Sequence, residues 1–415
     1  MEANQEKLIA EINDKQIKYA VFRLNNKLDC EILSKKISNN IEIQEGKILD
    51  IKNAGKLISE DLEEIEKEVN KIFRKISVVI NQKEILCTNI TGFKQLNGSK
   101  VEKSDLDYIL NEAKSSVMKN QEKNSILHIL NSNFILDKTK QEKIPLNIFG
   151  DHLSLHMTFL SLPKNNLKNI NALFDNSDLK VDRIISKPLV SGLDLLNKNK
   201  DLKNFAIIHF DSELSSVSLY EDSSLTFLKT FPFGTNAIYR DIAQLCSLKK
   251  DEIRLIFNEL NFNNLQKERV KYLDKKFFIK SDFTKLSVNH LKSIIDARIE
   301  EMINYIFNKN KNFNYLDNKV PLIYVFFEDK CVFNNLGDLF KNSLNIEQNK
   351  ILSKLFPLDD FSALSGAAEL ILKGWHKEAI PFTNKRKSVI SGFFSRFFKI
   401  NPVVFCNISC FQVEF

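Results

Sequence analysis

The stretch KRKSVISGFFSRFFKI at residues 385–400 gathers the residue types that could act on a membrane surface. On a helix advancing about 100° per residue, Val389, Ile390, Phe393, Phe394, Phe397, Phe398 and Ile400 share one half of the wheel. Ser388, Ser391, Gly392, Ser395, Arg396 and Lys399 fill the other half. A bulky aromatic face opposite a basic one suits the boundary between anionic head groups and acyl chains. A terminal amphipathic helix more commonly packs on its own domain. Four phenylalanines where a packed core would mix sizes, and Lys385, Arg386 and Lys387 just ahead of them, shift the balance toward lipid. A fully buried phenylalanine contributes roughly 1.5–3 kcal/mol and each nearby cation about 1 kcal/mol. After ordering costs, one such helix binds reversibly, so self-association would be needed to multiply weak anchors into firm attachment.

Other reactive residues offer less. His152 and His156 in DHLSLHMTFLS suggest a metal pair, but the alternation there reads as a strand. Residues four apart on a strand lie about 13 Å from each other, too far to share an ion, so no metal site is expected. The six cysteines, Cys30, Cys87, Cys246, Cys331, Cys406 and Cys410, form no CxxC pair and fit reduced thiols. No isolated Asp or His presents itself as a general base. A net charge of +7 is modest for 415 residues, and outside the last fifth the basic residues are interleaved with acids, which argues against a nucleic-acid partner. No apolar run is long enough to span a bilayer, and the start, MEANQEKLIAEINDKQ, is unlike a secretory signal. The expected location is therefore cytoplasmic. Heavy use of Lys, Asn, Ile and Phe with only 11 Gly fits an AT-rich genome.

The positioning elements read as a mixed α/β chain of two or three domains. Residues 18–34 suggest two strands joined by an Asn-Asn-Lys turn, and a helix capped by Ser59 carries Leu62, Ile65, Val69, Ile72 and Phe73 at helical spacing. A strand at EILCTNITG precedes a second helix over 104–118, opened by Ser104 with Asp107 three residues on. SILHILNSNFILD and HLSLHMTFLS are strand-like, 166–176 is helical, and VDRIISKPLVSGLDLL passes from strand to helix. Three strands from FAIIHF to SLTFLKTFPF then lead to helices at 235–246, 249–260 and 287–308, the buried strand VPLIYVFF and a helix at 362–373. No short-period repeat is present, which excludes a solenoid.

This order and several strings resemble the FtsA family of bacterial actin-like division proteins. PFGTNAIYRDIAQ at 232–244, with Gly234, Asn236, Asp241, Ile242 and Ala243, is similar to the family's segment after the second phosphate loop. EGKILDIKN at 45–53 and LKVDRIISKPLVSGLDLL at 179–196 also resemble family segments, and the terminal helix resembles its membrane-targeting sequence. The resemblance implies an actin-like, ribonuclease H-like two-lobed fold with a family-specific inserted subdomain. It divides the chain into 17–100 and 166–200 (subdomain 1A), 101–165 (the insert, 1C), 201–237 (2A), 238–312 (2B) and 313–375 (the closing 2A/1A segment). A linker over 376–387, the membrane helix over 388–400 and an apolar tail over 401–415 complete it.

The family's nucleotide loops are glycine-rich because only glycine lets backbone N–H groups approach phosphates closely. Here the first loop is assigned to FRLNNKLD, with Arg23 in place of an acid and Asn25 and Asn26 in place of Gly-Thr. The second reads His209, Phe210, Asp211, Ser212, Glu213, Leu214, the third Phe327, Glu328, Asp329, and Arg254 and Phe257 stand on the ribose side. A carboxylate about 4 Å from a phosphate charge costs about 4 kcal/mol at an effective dielectric of about 20. The expectation is that tight binding of ATP and Mg is lost, that no cofactor is used, and that Arg23, Lys27 or Arg254 meets those acids, unless they are simply solvated loop charges.

LKSIIDARIEEMINYI at 291–306 resembles the family helix that binds the acidic C-terminal peptide of FtsZ, with Arg298 pairing with a peptide carboxylate and Glu301 orienting a donor. The implied role is a tether of the FtsZ ring at the cytoplasmic face of the inner membrane, at the division site. Such a tether would help recruit later division proteins and self-associate into filaments or mini-rings. The other classes are a polymerising actin-like ATPase and an actin-like scaffold of a pilus or secretion machine.

Overall fold

The computed structural model describes residues 6–379, apart from 14–15, 40–42, 45–46, 142, 261, 263–270, 308–321, 345–351 and 358–359. The predicted membrane helix, including Val389, Ile390, Phe393, Phe394, Arg396, Phe397, Phe398 and Lys399, and the tail at 401–415 lie outside the described residues. The described residues form two compact units, one within 6–203, 218–229 and 361–379, the other within 204–217 and 230–360.

The first unit opens with β1 (Lys7–Asn13), β2 (Gln16–Leu24) and β3 (Cys30–Asn39), an antiparallel meander. The short β4 (Ile43–Gln44) and β5 (Lys47–Ile48), then α1 (Ile51–Val69), lead to β6 (Lys75–Ile80). After an inserted domain come α3 (Lys164–Asp175), β11 (Lys180–Ser186) and α4 (Lys187–Lys198). The sheet order is β11-β6-β1-β2-β3, with β6 parallel to β1 and β11 parallel to β6. β1 and β6 are buried almost throughout, as central strands covered on both faces must be.

The strand β1 lies ahead of the expected first subdomain start at residue 17. It pairs with β2 as far as Asn13 opposite Gln16 in a first hairpin, so Arg23, Asn25 and Asn26 belong to the second. α1 also begins earlier than expected: Asp50 caps it by accepting from the Asn53 N–H at 3.0 Å. Ser59 sits mid-helix and bonds back to the Gly55 carbonyl at 3.1 Å.

The inserted domain consists of β7 (Leu86–Gln95), α2 (Lys103–Asn120), β8 (Asn124–Leu136), β9 (Thr139–Gln141) and β10 (His152–Pro163), with sheet order β7-β10-β8-β9. Because β7 pairs with β10 along its full length, the domain takes in residues from 86 and not only those from 101. α2 starts one residue before expectation, with Asp105 Oδ2 accepting from the Glu102 N–H at 2.7 Å in place of a Ser104 cap. Leu106, Ile109, Ala113 and Val117 of α2 pack on Ile129, Phe134, Leu155, Met157 and Phe159. The helix lies close on β7, since a Cβ on Gly92 would sit 2.5 Å from Ile109.

The next elements along the chain are β12 (Phe205–Phe210), β13 (Ser215–Glu221), β14 (Ser224–Phe231), α5 (Asn236–Cys246), α6 (Lys250–Glu259), α7 (Val288–Ile306), β15 (Leu322–Phe327), α8 (Lys330–Leu344) and β16 (Leu352–Pro357). Strand order is β14-β13-β12-β15-β16, and β12 and β16 flank β15 in parallel. The core is aromatic: Phe210 and Phe327 stack with centroids 5.3 Å apart, and Phe340 of α8 lies 4.9 Å from each. A last helix, α9 (Ser362–Leu372), returns to the first unit, where Leu364, Ala367 and Ala368 join Val190 and Leu193 of α4 against the sheet.

Candidate functional site

In the second unit the turn after β12 holds Asp211, Ser212 and Glu213. The Asp211 N–H donates to the Leu214 carbonyl at 2.9 Å and closes it tightly. Gly234 follows β14, and a Cβ there would lie 2.3 Å from the Asp211 carbonyl oxygen and 2.5 Å from that of Ser212. Glycine is required because two backbones meet. That approach lets the Thr235 and Asn236 N–H groups donate to the Asp211 and Ser212 carbonyls, both at 2.9 Å. The start of α5, which in a phosphate-binding loop would aim amides at a ligand, is thus partly satisfied by the protein's own carbonyls.

The remaining groups of the turn are held by side chains. Ser212 N–H donates to Glu328 Oε2 at 3.2 Å. Glu213 accepts from Asn236 Nδ2 at 2.8 Å and from Arg240 Nη1 at 2.6 Å. Asp329 caps α8, taking the Cys331 and Val332 N–H groups at 2.9 and 3.2 Å, and accepts from the Tyr239 hydroxyl at 3.1 Å. Arg254 Nη2 lies 3.9 Å from Asp329, as the sequence reading expected for one of its three cations. Burial, and next the charge of Asp329, push the Tyr239 phenol far above its ordinary range. Phe257, the other ribose-side position, is fully buried beside Tyr239.

The first unit departs from expectation. Asn25 Oδ1 accepts from the Lys27 and Asp29 N–H groups, both at 2.9 Å, so it shapes the β2–β3 turn. Arg23 meets Glu31 on the neighbouring strand at 3.0 Å, with both side chains more than a third exposed. The turn of the first hairpin is flanked instead by Glu11 and Asn13, where the buried ammonium of Lys187 lies 3.2 Å from Glu11 Oε1 and 3.3 Å from Asn13 Oδ1. Sequence reasoning missed this pair, whose members are remote in the chain and join only when β1 is recognised.

On α7, Arg298 projects toward α5. Its Nε and Nη2 both bond Asp241, the second at 2.8 Å, and Nη1 bonds Glu301 at 2.5 Å. The Arg298 side chain is 29% exposed, and its fork already engages two carboxylates of the protein itself. His152 and His156 both lie on β10, and among the described residues no three His, Cys, Asp or Glu side chains are grouped to hold a metal. No helix among the described residues is long and apolar enough to cross a membrane.

The sheets and their order define an actin-like α/β protein with an inserted domain. A solved PilM–PilN type IV pilus biogenesis complex shares the fold, with a TM-score of 0.58 at 11% identity over 87% of this chain and 90% of that one. Residues 83–161 match the description of an SHS2 domain inserted in FtsA, which agrees with the sheet that starts at Leu86. The cell division protein FtsA of Buchnera aphidicola subsp. Baizongia pistaciae is 21% identical over 280 residues, 66% of this chain and 65% of that protein. That of Borreliella burgdorferi is 23% identical over 234 residues, 56% of each. The chain thus spans a little under two thirds of the length of such relatives, and it is similar to FtsA proteins both in the inserted domain and along that span.

Proposed function

We propose that this chain is a division tether: it holds the acidic C-terminal peptide of FtsZ on its second unit and attaches it through residues 385–400 to anionic lipid at the cytoplasmic face of the inner membrane. It acts at the division site as a self-associating, non-enzymatic body that helps recruit later division proteins, without tight ATP binding. The observation that carries this reading is Arg298, a partly exposed guanidinium held in a carboxylate-reading geometry on the helix that resembles the family's FtsZ-binding helix. The loss of ATP is supported by the turn at 211–213, where the Ser212 amide donates to Glu328 and the Asp211 and Ser212 carbonyls take the N–H groups of Thr235 and Asn236.

A phosphate entering that turn would have to displace a carboxylate from an amide and sit among Asp211, Glu213, Glu328 and Asp329. At about 4 kcal/mol per close like charge at an effective dielectric of about 20, one uncompensated acid weakens binding about a thousandfold. The tether reading is tested by titrating the FtsZ C-terminal peptide into the full chain and its Arg298→Glu variant. Binding should be lost in the variant, and unchanged affinity would remove Arg298 from the interface.

A further inference from the structure

The segment that follows α9 in the first unit ends in a buried charge that neither the actin-like fold nor the tether reading requires. Gly374 turns the chain at φ +76°. Trp375 then packs against the sheet core of the first unit, and four residues later Ala379 packs against the core of the inserted domain. Between them the chain runs antiparallel to β8, with Leu130 opposite Glu378. The Asn131 N–H donates to the Lys377 carbonyl at 2.7 Å and the Ala379 N–H to the Ile129 carbonyl at 2.8 Å.

Glu378 points inward and its side chain is only 4% exposed. Its Oε1 accepts from His128 Nδ1 at 3.1 Å, on β8 of the inserted domain, and from Arg183 Nη2, on β11 of the five-stranded sheet. His128 is fully buried, and its Nε2 accepts the Ser186 N–H from the end of β11 at 3.3 Å. One carboxylate therefore joins three pieces of chain: the inserted sheet, the sheet of the first unit and the C-terminal segment.

A charge placed this deeply serves register better than it serves stability. A slip of one residue would bring Lys377 or Ala379 into the pocket, setting an ammonium beside the Arg183 guanidinium or leaving that guanidinium without a counter-charge. Only Glu378 fits both Arg183 and His128. We infer that residues 377–379 are a mooring strand, keyed into the inserted sheet by Glu378, that fixes the root of residues 380–415 on the inserted domain. A pull on the following chain would then reach β8 and β11 before it reached α9. The inference does not depend on 385–400 binding lipid, because every group it uses precedes residue 380.

Hydrogen exchange on the full chain tests it, read by mass spectrometry on fragments covering 125–133 and 374–384, with 104–118 of α2 as the internal control. In Glu378→Gln and Glu378→Ala the first two fragments should exchange at least tenfold faster at the Asn131 and Ala379 amides, with α2 unchanged. Trypsin should also cut after Lys377 at least tenfold faster. Should α2 lose protection as well, the milder Glu378→Asp, which keeps the charge but shortens its reach, must free the strand while α2 stays protected. Wild-type exchange and cleavage in the Gln and Ala variants, or α2 and the strand opening together even in Glu378→Asp, would overturn the inference.

Discussion

Glu328 and Glu378 are two acids put to different uses by their surroundings. Glu328 takes the Ser212 amide in the turn expected to be the second phosphate loop, so isothermal titration of MgATP into the chain should show no binding tighter than the millimolar range. Micromolar affinity would refute the loss of the nucleotide site. At the other acid, burial opposes ionisation, but the His128 hydrogen bond and the Arg183 charge outweigh it and hold the Glu378 carboxyl below its usual pKa. Burial likewise keeps His128 neutral, with its pKa below 6.5, in accord with a backbone N–H donating to Nε2.

Both shifts act in one direction. A histidine held neutral and a glutamate held ionised stabilise the fold above their unfolded pKa values, and both contributions fade as pH falls, first below 6.5 and then below 4.5. Stability measured by urea midpoint should fall from pH 7 to pH 5, and His128→Asn should flatten that slope; His156 and His376, also lowered by burial, contribute to it in the same direction. An unaltered slope in the variant would mean that His128 does not titrate with unfolding. Neither acid's role was legible in the sequence, because each is defined by partners more than 100 residues away in the chain.

At the scale of elements, close helix packing depends on small residues that the sequence does not flag. A Cβ on Gly366 of α9 would lie 2.0 Å from the Val190 carbonyl oxygen on α4, and one on Gly192 would lie 2.0 Å from the Tyr220 ring. Gly366→Ala must therefore separate α9 from α4, at a cost of about 1–3 kcal/mol typical of overpacking or somewhat more, read as a lowered denaturation midpoint. An unchanged midpoint would show that the two helices can shift apart freely. Most elements were readable from periodicity: α5, α6, α7 and the strands β8, β10, β12 and β15 fall where apolar spacing and turn residues put them. β1 was not, because KLIAEIN carries Glu11 at a buried position that is tolerable only with Lys187 beside it. Without that strand the first hairpin went unread, and the residues expected for the first loop, Arg23, Asn25 and Asn26, belong to the second hairpin.

For the whole molecule, the family resemblance located the insert more coarsely than its sheet does, because β7 joins β10 across 56 intervening residues, from Gln95 to His152, and pairing at that distance leaves no local mark. A tether of this kind links two places far apart in the chain, a guanidinium on α7 and a phenylalanine-rich stretch at 385–400. Co-sedimentation of FtsZ with vesicles of phosphatidylglycerol and phosphatidylethanolamine, with the full chain or a chain ending at residue 384, examines that link most directly. FtsZ should pellet with vesicles only when the full chain is present, equally well with and without ATP. Pelleting that survives removal of 385–415, or that appears only with ATP, would contradict the account.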